Sequence, residues 1–243
     1  PEWFTDVKPT NIFLLMPERE CVPVLKLGDF GLATSRAVDT PLSLAAAGDW
    51  AVITGASTGI GRQLALEAAH EGSNVVLTAR RAPLLQKLAA EIEAEHAVAT
   101  RVCAGCLTDA KFVERLRDAA PGSVSLLVAN AGCGMEGDAV AAPRARVRSM
   151  LELNVLSTTQ VCQLFASDFV RDRRGRVLLV SSLTSAVPMP GGAAYAASKS
   201  YVRSFAGALR DENFVPDFSA HVATDSVRCV YLSHSEVSNA PRR

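Results

Sequence analysis

The stretch Thr54-Gly55-Ala56-Ser57-Thr58-Gly59-Ile60-Gly61 constrains this chain more than any other. It closes a short apolar run, Trp50 to Thr54, and leads into apolar residues at helical spacing through about His70. A strand that turns on glycines straight into a helix has little freedom of backbone. Glycine at 55, 59 and 61 admits dihedral angles and close approaches that a Cβ would forbid. The helix that follows starts with unpaired N–H groups and the positive end of its dipole, so the turn is suited to face an anion.

The same alternation continues downstream. Apolar runs predict strands at 74–78, 100–103, 126–129 and 176–181, and helical spacing predicts helices at 82–95, 109–119, 144–170 and 195–210. Asp109 is a natural N-cap for the third helix. A further run at 226–232 reads as a sixth strand. Continuous Val/Leu strands joined by helices imply a parallel sheet covered on both faces. The expected fold is therefore α/β, a doubly wound, Rossmann-like parallel sheet over residues 48–243. Eleven residues follow Leu232, too few for another helix and strand, so the sheet is expected to be incomplete at its C-terminal end.

Chemistry concentrates in Asn154, Ser182, Tyr195 and Lys199. Tyr195 and Lys199 are four residues apart, which puts both side chains on one helical face. A nearby ammonium favours the phenolate and is expected to lower the tyrosine pKa from about 10. A tyrosine so tuned exchanges protons with an alcohol or carbonyl near neutral pH.

From about Gly48 to Glu212 the chain resembles the short-chain dehydrogenase/reductase family. The matching pieces occur in the family's order: the glycine turn from Thr54 to Gly61, Asn130-Ala131-Gly132, Asn154 within a helix, Ser182, and Tyr195-x-x-x-Lys199. The resemblance implies an oxidoreductase interconverting a carbonyl and a secondary alcohol, with a nicotinamide cofactor as hydride carrier. Tyr195 would be the general acid or base, and Lys199 would tune it and hold the nicotinamide ribose. Ser182 would hydrogen-bond the substrate oxygen, and Asn154 would hold a water that relays protons from Lys199.

The cofactor would lie along Gly55, Ser57, Thr58, Gly59, Ile60 and Gly61, with Asn130, Ala131 and Gly132 lining the fourth strand's end. At the second strand's end an Asp would select NAD, but this chain has Ala79 followed by Arg80 and Arg81, which suits the 2′-phosphate of NADP. Cys106 stands where the family usually carries an Asp beside the adenine, leaving the backbone of Leu107 as the contact there.

Three competing readings have a foothold. Gly55-Ala56-Ser57-Thr58-Gly59 also matches the nucleophile turn of serine hydrolases, yet none of the histidines at 70, 96, 221 and 234 falls in a motif. Residues 1–36 resemble a piece of a protein kinase, with Asp6-Val7-Lys8-Pro9-Thr10-Asn11 like a catalytic loop and Asp29-Phe30-Gly31 like the magnesium loop. The remaining kinase parts are missing, so residues 1–40 are expected to be an inactive fragment rather than a domain. A nucleotide-binding scaffold that keeps the tetrad without turnover is the third.

Composition narrows the setting. The formal charge is zero, which gives no global field for nucleic acid or an anionic membrane. No apolar run approaches the roughly 18 residues of a spanning helix. The six cysteines are scattered, and the Cys103/Cys106 pair has no second Cys or His pair at ligand spacing, so no metal site is expected. They read as small apolar filler in a reducing cytoplasm. The expected partner is a small carbonyl or alcohol, and the short C-terminal region leaves homo-oligomerisation open.

Overall fold

Parallel strands buried on both faces must be largely apolar, and the inner strands of this chain are, whereas the edge strand at 100–104 exposes Arg101 and Val102. The computed structural model describes residues 47–172, 174–212 and 227–232. Its order is β1 (Trp50–Thr54), α1 (Gly59–His70), β2 (Asn74–Ala79), α2 (Ala82–Glu95), β3 (Thr100–Ala104), α3 (Ala110–Arg117) and β4 (Val124–Ala129). Next come α4 (Arg144–Leu151), a π-helical turn (Glu152–Ser157), α5 (Thr158–Asp172), β5 (Arg176–Ser182), a 3-10 turn (Leu183–Ser185), α6 (Ala193–Glu212) and β6 (Val227–Leu232).

The six strands form one sheet in the order β3-β2-β1-β4-β5-β6, and every pairing is parallel. The fold is the expected doubly wound, Rossmann-like α/β sheet. Successive strand residues serve opposite faces, as the pleat requires. Ala51 and Ile53 join Val75, Leu77 and Val128 under α1 and α2. Trp50 and Val52 join Val76, Leu127 and Leu179 on the other face, with Phe112 of α3, Phe165 of α5 and Val202 of α6. Where α1 crosses the sheet its buried positions are Ala65, Ala68 and Ala69, small enough for close packing. Asp109 caps α3 as expected, its carboxylate accepting the Lys111 N–H at 3.0 Å.

The strand order reverses direction between β1 and β4, and the crevice at their carboxyl ends is where such sheets bind ligands. Every tetrad and glycine-turn residue lies at that edge or on an element packed against it.

One expectation needs correcting. The single helix predicted at 144–170 is interrupted by the π turn, in which Asn154 is buried. Side-chain hydroxyls explain it. Ser157 Oγ donates to the Glu152 carbonyl oxygen at 2.8 Å and Thr158 Oγ1 to that of Leu153 at 3.4 Å, each across five residues. These bonds attend carbonyls in the widened turn, whose looser backbone ladder a purely apolar pattern cannot reveal.

The readings of residues 1–40 and of the segment at 213–226 lie outside the described residues. Among the described residues no helix is long and apolar enough to cross a membrane.

Leu77 is fully buried at the centre of the layer beneath α1 and α2. Leu77→Ala should destabilise the fold by about 2–5 kcal/mol, read as a lower urea midpoint with an unchanged slope.

Candidate active site

The crevice is held open by a small polar staple. The Thr54 hydroxyl, at the end of β1, accepts the backbone N–H groups of Asn130 and Ala131, both at 2.9 Å, and donates to the Val128 carbonyl oxygen at 3.1 Å. Asn130 answers from β4's end, its Nδ2 donating to the Thr54 carbonyl oxygen at 2.9 Å. Against this staple the glycine turn has no spare room. Gly55, at φ +69°, would place a Cβ 2.8 Å from Asn130 Nδ2, and a Cβ on Gly61 would collide with the same amide and with the Gly55 carbonyl. Gly59 also has a positive φ, +59°.

The turn delivers the chain to α1 without a side-chain cap. Thr58 occupies the N-cap position, yet its hydroxyl makes no capping bond, and no acidic residue lies in the first turn. Its hydroxyl instead accepts from Arg81 Nη2 at 3.0 Å, alongside Ser57 Oγ at 2.9 Å. The leading N–H groups and the dipole of this twelve-residue helix are thus left for an anion.

A cavity of about 200 Å³ runs from this turn to the start of α6. Gly55, Thr58, Gly59 and Ile60 line one end, Asn130, Ala131 and Gly132 the floor, and Tyr195 and Lys199 the far end. Ser57, Gly61, Arg80, Arg81 and Leu107 do not line it. Gly61 packs beneath the turn, Arg81 closes on its hydroxyls, Arg80 is exposed, and Leu107 is buried beside Phe112 and Val113.

The far end is pinned to β5. Lys199 Nζ donates to the Val180 carbonyl oxygen at 3.0 Å, and Ser181 Oγ donates to the Lys199 carbonyl oxygen at 2.8 Å. Ser182 Oγ accepts from the backbone N–H of Thr184 at 3.3 Å and from its hydroxyl at 3.0 Å. Its own proton is left for Tyr195, with which it hydrogen-bonds. Asn154 sits behind the floor rather than in it. Its Oδ1 accepts the Cys133 N–H at 2.9 Å, while its Nδ2 donates to the Cys133 carbonyl oxygen at 3.0 Å and to Ser198 Oγ at 3.1 Å. Gly132 is where the two halves converge, since a Cβ there would stand 3.1 Å from Asn154 Oδ1 and 3.4 Å from Lys199 Nζ.

The tyrosine departs from expectation. Burial holds the Tyr195 hydroxyl above its ordinary pKa, the Ser182 hydrogen bond works against that rise, and the neighbouring Cys133 thiol adds to it. The lowering expected from Lys199 is not the net result, because burial disfavours the phenolate more than the Ser182 hydrogen bond favours it.

Sequence reasoning missed Cys133, Gly134, Val180 and Ser181, which also line the cavity, and Thr184 and Ser198, which bond its residues. Cys133 follows Asn130-Ala131-Gly132 directly, and that adjacency was the available signal. The reading of the cysteines as filler holds for Cys162, whose buried thiol is pushed up to about 12, but Cys106 and Cys133 are exposed. Among the described residues no group of three or more His, Cys, Asp or Glu side chains is placed to hold a metal.

A parallel sheet with a glycine turn at its switch point, facing a buried Tyr/Lys pair across one cavity, defines a nucleotide-dependent oxidoreductase class. Residues 49–215 match the short chain dehydrogenase family, and the chain belongs to it. It is 34% identical over 171 residues to a very-long-chain 3-oxoacyl-CoA reductase of Coprinopsis cinerea, covering 68% of this chain and 50% of that protein. An uncharacterized oxidoreductase of Myxococcus xanthus is 37% identical over 162 residues, covering 66% of this chain and 64% of its own length. Among solved structures, a metagenomic short-chain oxidoreductase in complex with NADP superposes with a TM-score of 0.64 at 29% identity, covering 69% of this chain and 77% of that one. The chain spans about half the length of the fungal reductase it matches. The family match begins at residue 49 and lends no support to the kinase resemblance of residues 1–36.

The chain has three tyrosines, so an ultraviolet titration of the full chain against Tyr195→Phe isolates the one in the cavity. Its ionisation should fall above the ordinary tyrosine value; ionisation near neutrality would mean that the lysine outweighs burial.

Proposed function

We propose that this chain is an NADP(H)-dependent oxidoreductase that interconverts a carbonyl and a secondary alcohol. The observation that carries the reading is the single cavity joining the uncapped, glycine-floored start of α1 to Tyr195 and Lys199. A pyrophosphate fits the turn, because only glycine is accommodated at 55 and 61 and the leading N–H groups have no competing side-chain cap. The turn residues Gly55 to Gly61 would hold the pyrophosphate, Leu107 would offer its backbone to the adenine, and Asn130, Ala131 and Gly132 would leave room along the floor. Arg80 and Arg81 would meet a 2′-phosphate, and the position of Arg81 over Ser57 and Thr58 supports this. NADPH supplies the hydride in this chemistry.

The chain's own residues would handle the proton and the developing charge. At neutral pH the Tyr195 phenol keeps its proton, as burial favours, and can donate it to a carbonyl oxygen as charge develops there. Ser182, held by Thr184, would have to turn its one proton from the Tyr195 hydroxyl to that oxygen to stabilise it. Lys199, oriented by Val180, would bring its ammonium to the ribose and to the phenolate left after transfer. With both amide hydrogens of Asn154 committed to protein acceptors, a relaying water held by its side chain would meet only the remaining lone pair of Oδ1, which faces the same glycine as Lys199 Nζ. The 3-oxoacyl-CoA reductases among the relatives make a 3-oxoacyl thioester a sensible member of any test panel.

An NADPH titration followed by turnover on a panel of ketones, aldehydes and 3-oxoacyl thioesters tests the reading. Binding without turnover would favour a nucleotide-binding scaffold instead. Tyr195→Phe should leave NADPH affinity within about twofold and remove turnover by a factor of 100 or more, on the order of what a positioned general acid contributes; retention of most activity would end the assignment.

Arg80→Ala should weaken NADPH by roughly ten- to a hundredfold while NADH changes little, the worth of one hydrogen bond to a charged group. Equal losses for both cofactors, measured by fluorescence titration, would remove Arg80 from phosphate recognition.

A further inference from the structure

Ser198 belongs neither to the tetrad nor to the cavity lining, yet it is the side chain through which Asn154 touches α6. It is 1% exposed, three residues after Tyr195 and one before Lys199. Its Oγ donates to the Tyr195 carbonyl oxygen at 2.7 Å and accepts from Asn154 Nδ2 at 3.1 Å. The same Asn154 amide grips both backbone groups of Cys133, at 2.9 and 3.0 Å. One buried hydroxyl thus completes a chain from the loop after β4, through the π turn, to the backbone of the tyrosine.

A serine that bonds the carbonyl three residues back is common in helices and by itself means only local satisfaction. The bond to Asn154 is what differs. Both partners are about 1% exposed, so neither finds water if the bond is lost, and an unpaired buried amide hydrogen is costly. A relative shift of the π turn and the start of α6 would relieve that cost, and it would move Tyr195, whose carbonyl Ser198 holds, relative to Cys133, which Asn154 holds.

We propose that Ser198 is a positioning residue, coupling the Asn154 amide to the backbone of Tyr195 and so fixing the distance between the phenol and the cavity wall at Gly132 and Cys133. This rests on the oxidoreductase reading for its kinetic consequence but not for its structural one. The expected signature in Ser198→Ala is a fall in kcat of about tenfold, one neutral hydrogen bond's worth, with carbonyl KM and NADPH affinity within about twofold. Ser198→Thr, which keeps the hydroxyl, should recover most of the loss. Because Ser198 acts through Asn154, Ser198→Ala added to Asn154→Ala should cost no more than Asn154→Ala alone.

Hydrogen exchange of the full chain supplies a readout independent of turnover. The Cys133 N–H donates to Asn154 Oδ1, so Ser198→Ala should speed exchange in the peptide covering 130–135 while β1 and β2 keep their protection. If wild-type chain shows no turnover on any carbonyl, the oxidoreductase reading falls and the exchange result still decides the role of Ser198. Unchanged exchange at 130–135, or additive kinetic losses in the double variant, would overturn the proposal.

Discussion

The Thr54 hydroxyl does what the rest of the site depends on. It bonds three backbone groups at the end of β4, so the two strands on either side of the switch point cannot drift apart. Each such bond is worth only about 1 kcal/mol, but all three share one buried oxygen, and losing it would strand the two N–H donors of Asn130 and Ala131 at once. Asn130 then takes up the space in front of the turn. This is why Gly55 and Gly61 admit no side chain, and why the turn must fold tightly enough to leave α1 uncapped.

The Tyr195 and Lys199 end of the cavity is built by the opposite means. No strand supplies Tyr195 or Lys199; they ride on α6, and α6 is located by polar bonds to β5 and to the π turn as well as by Val202 and Ala206 in the core. Apolar packing sets the layer, but it tolerates small slides along the helix axis. Directional bonds from Ser181, Lys199 and Ser198 remove that freedom.

The position of the tyrosine proton is set by opposed influences of the folded chain. Burial raises the Tyr195 pKa, the Ser182 hydrogen bond lowers it, and burial prevails.

How much of this was legible in the chain depended on the range of the physics involved. Glycines 55, 59 and 61, the Val/Leu strands and the four-residue spacing of Tyr195 and Lys199 are local patterns, and they sufficed for the fold class and for residues at both ends of the cavity, though not for the order of the strands. Arg81 was read from its neighbours in sequence, but its grip on Ser57 and Thr58 spans more than twenty positions and exists only once β2 lies beside β1. The bond from Asn154 to Ser198 and the burial of Tyr195 needed tertiary packing, because each depends on what an element meets rather than on what it contains. Periodicity tells a helix which face to bury. Only the folded sheet decides which carbonyl a buried amide finds there, and whether a phenol sits nearer to a charge or to an apolar wall.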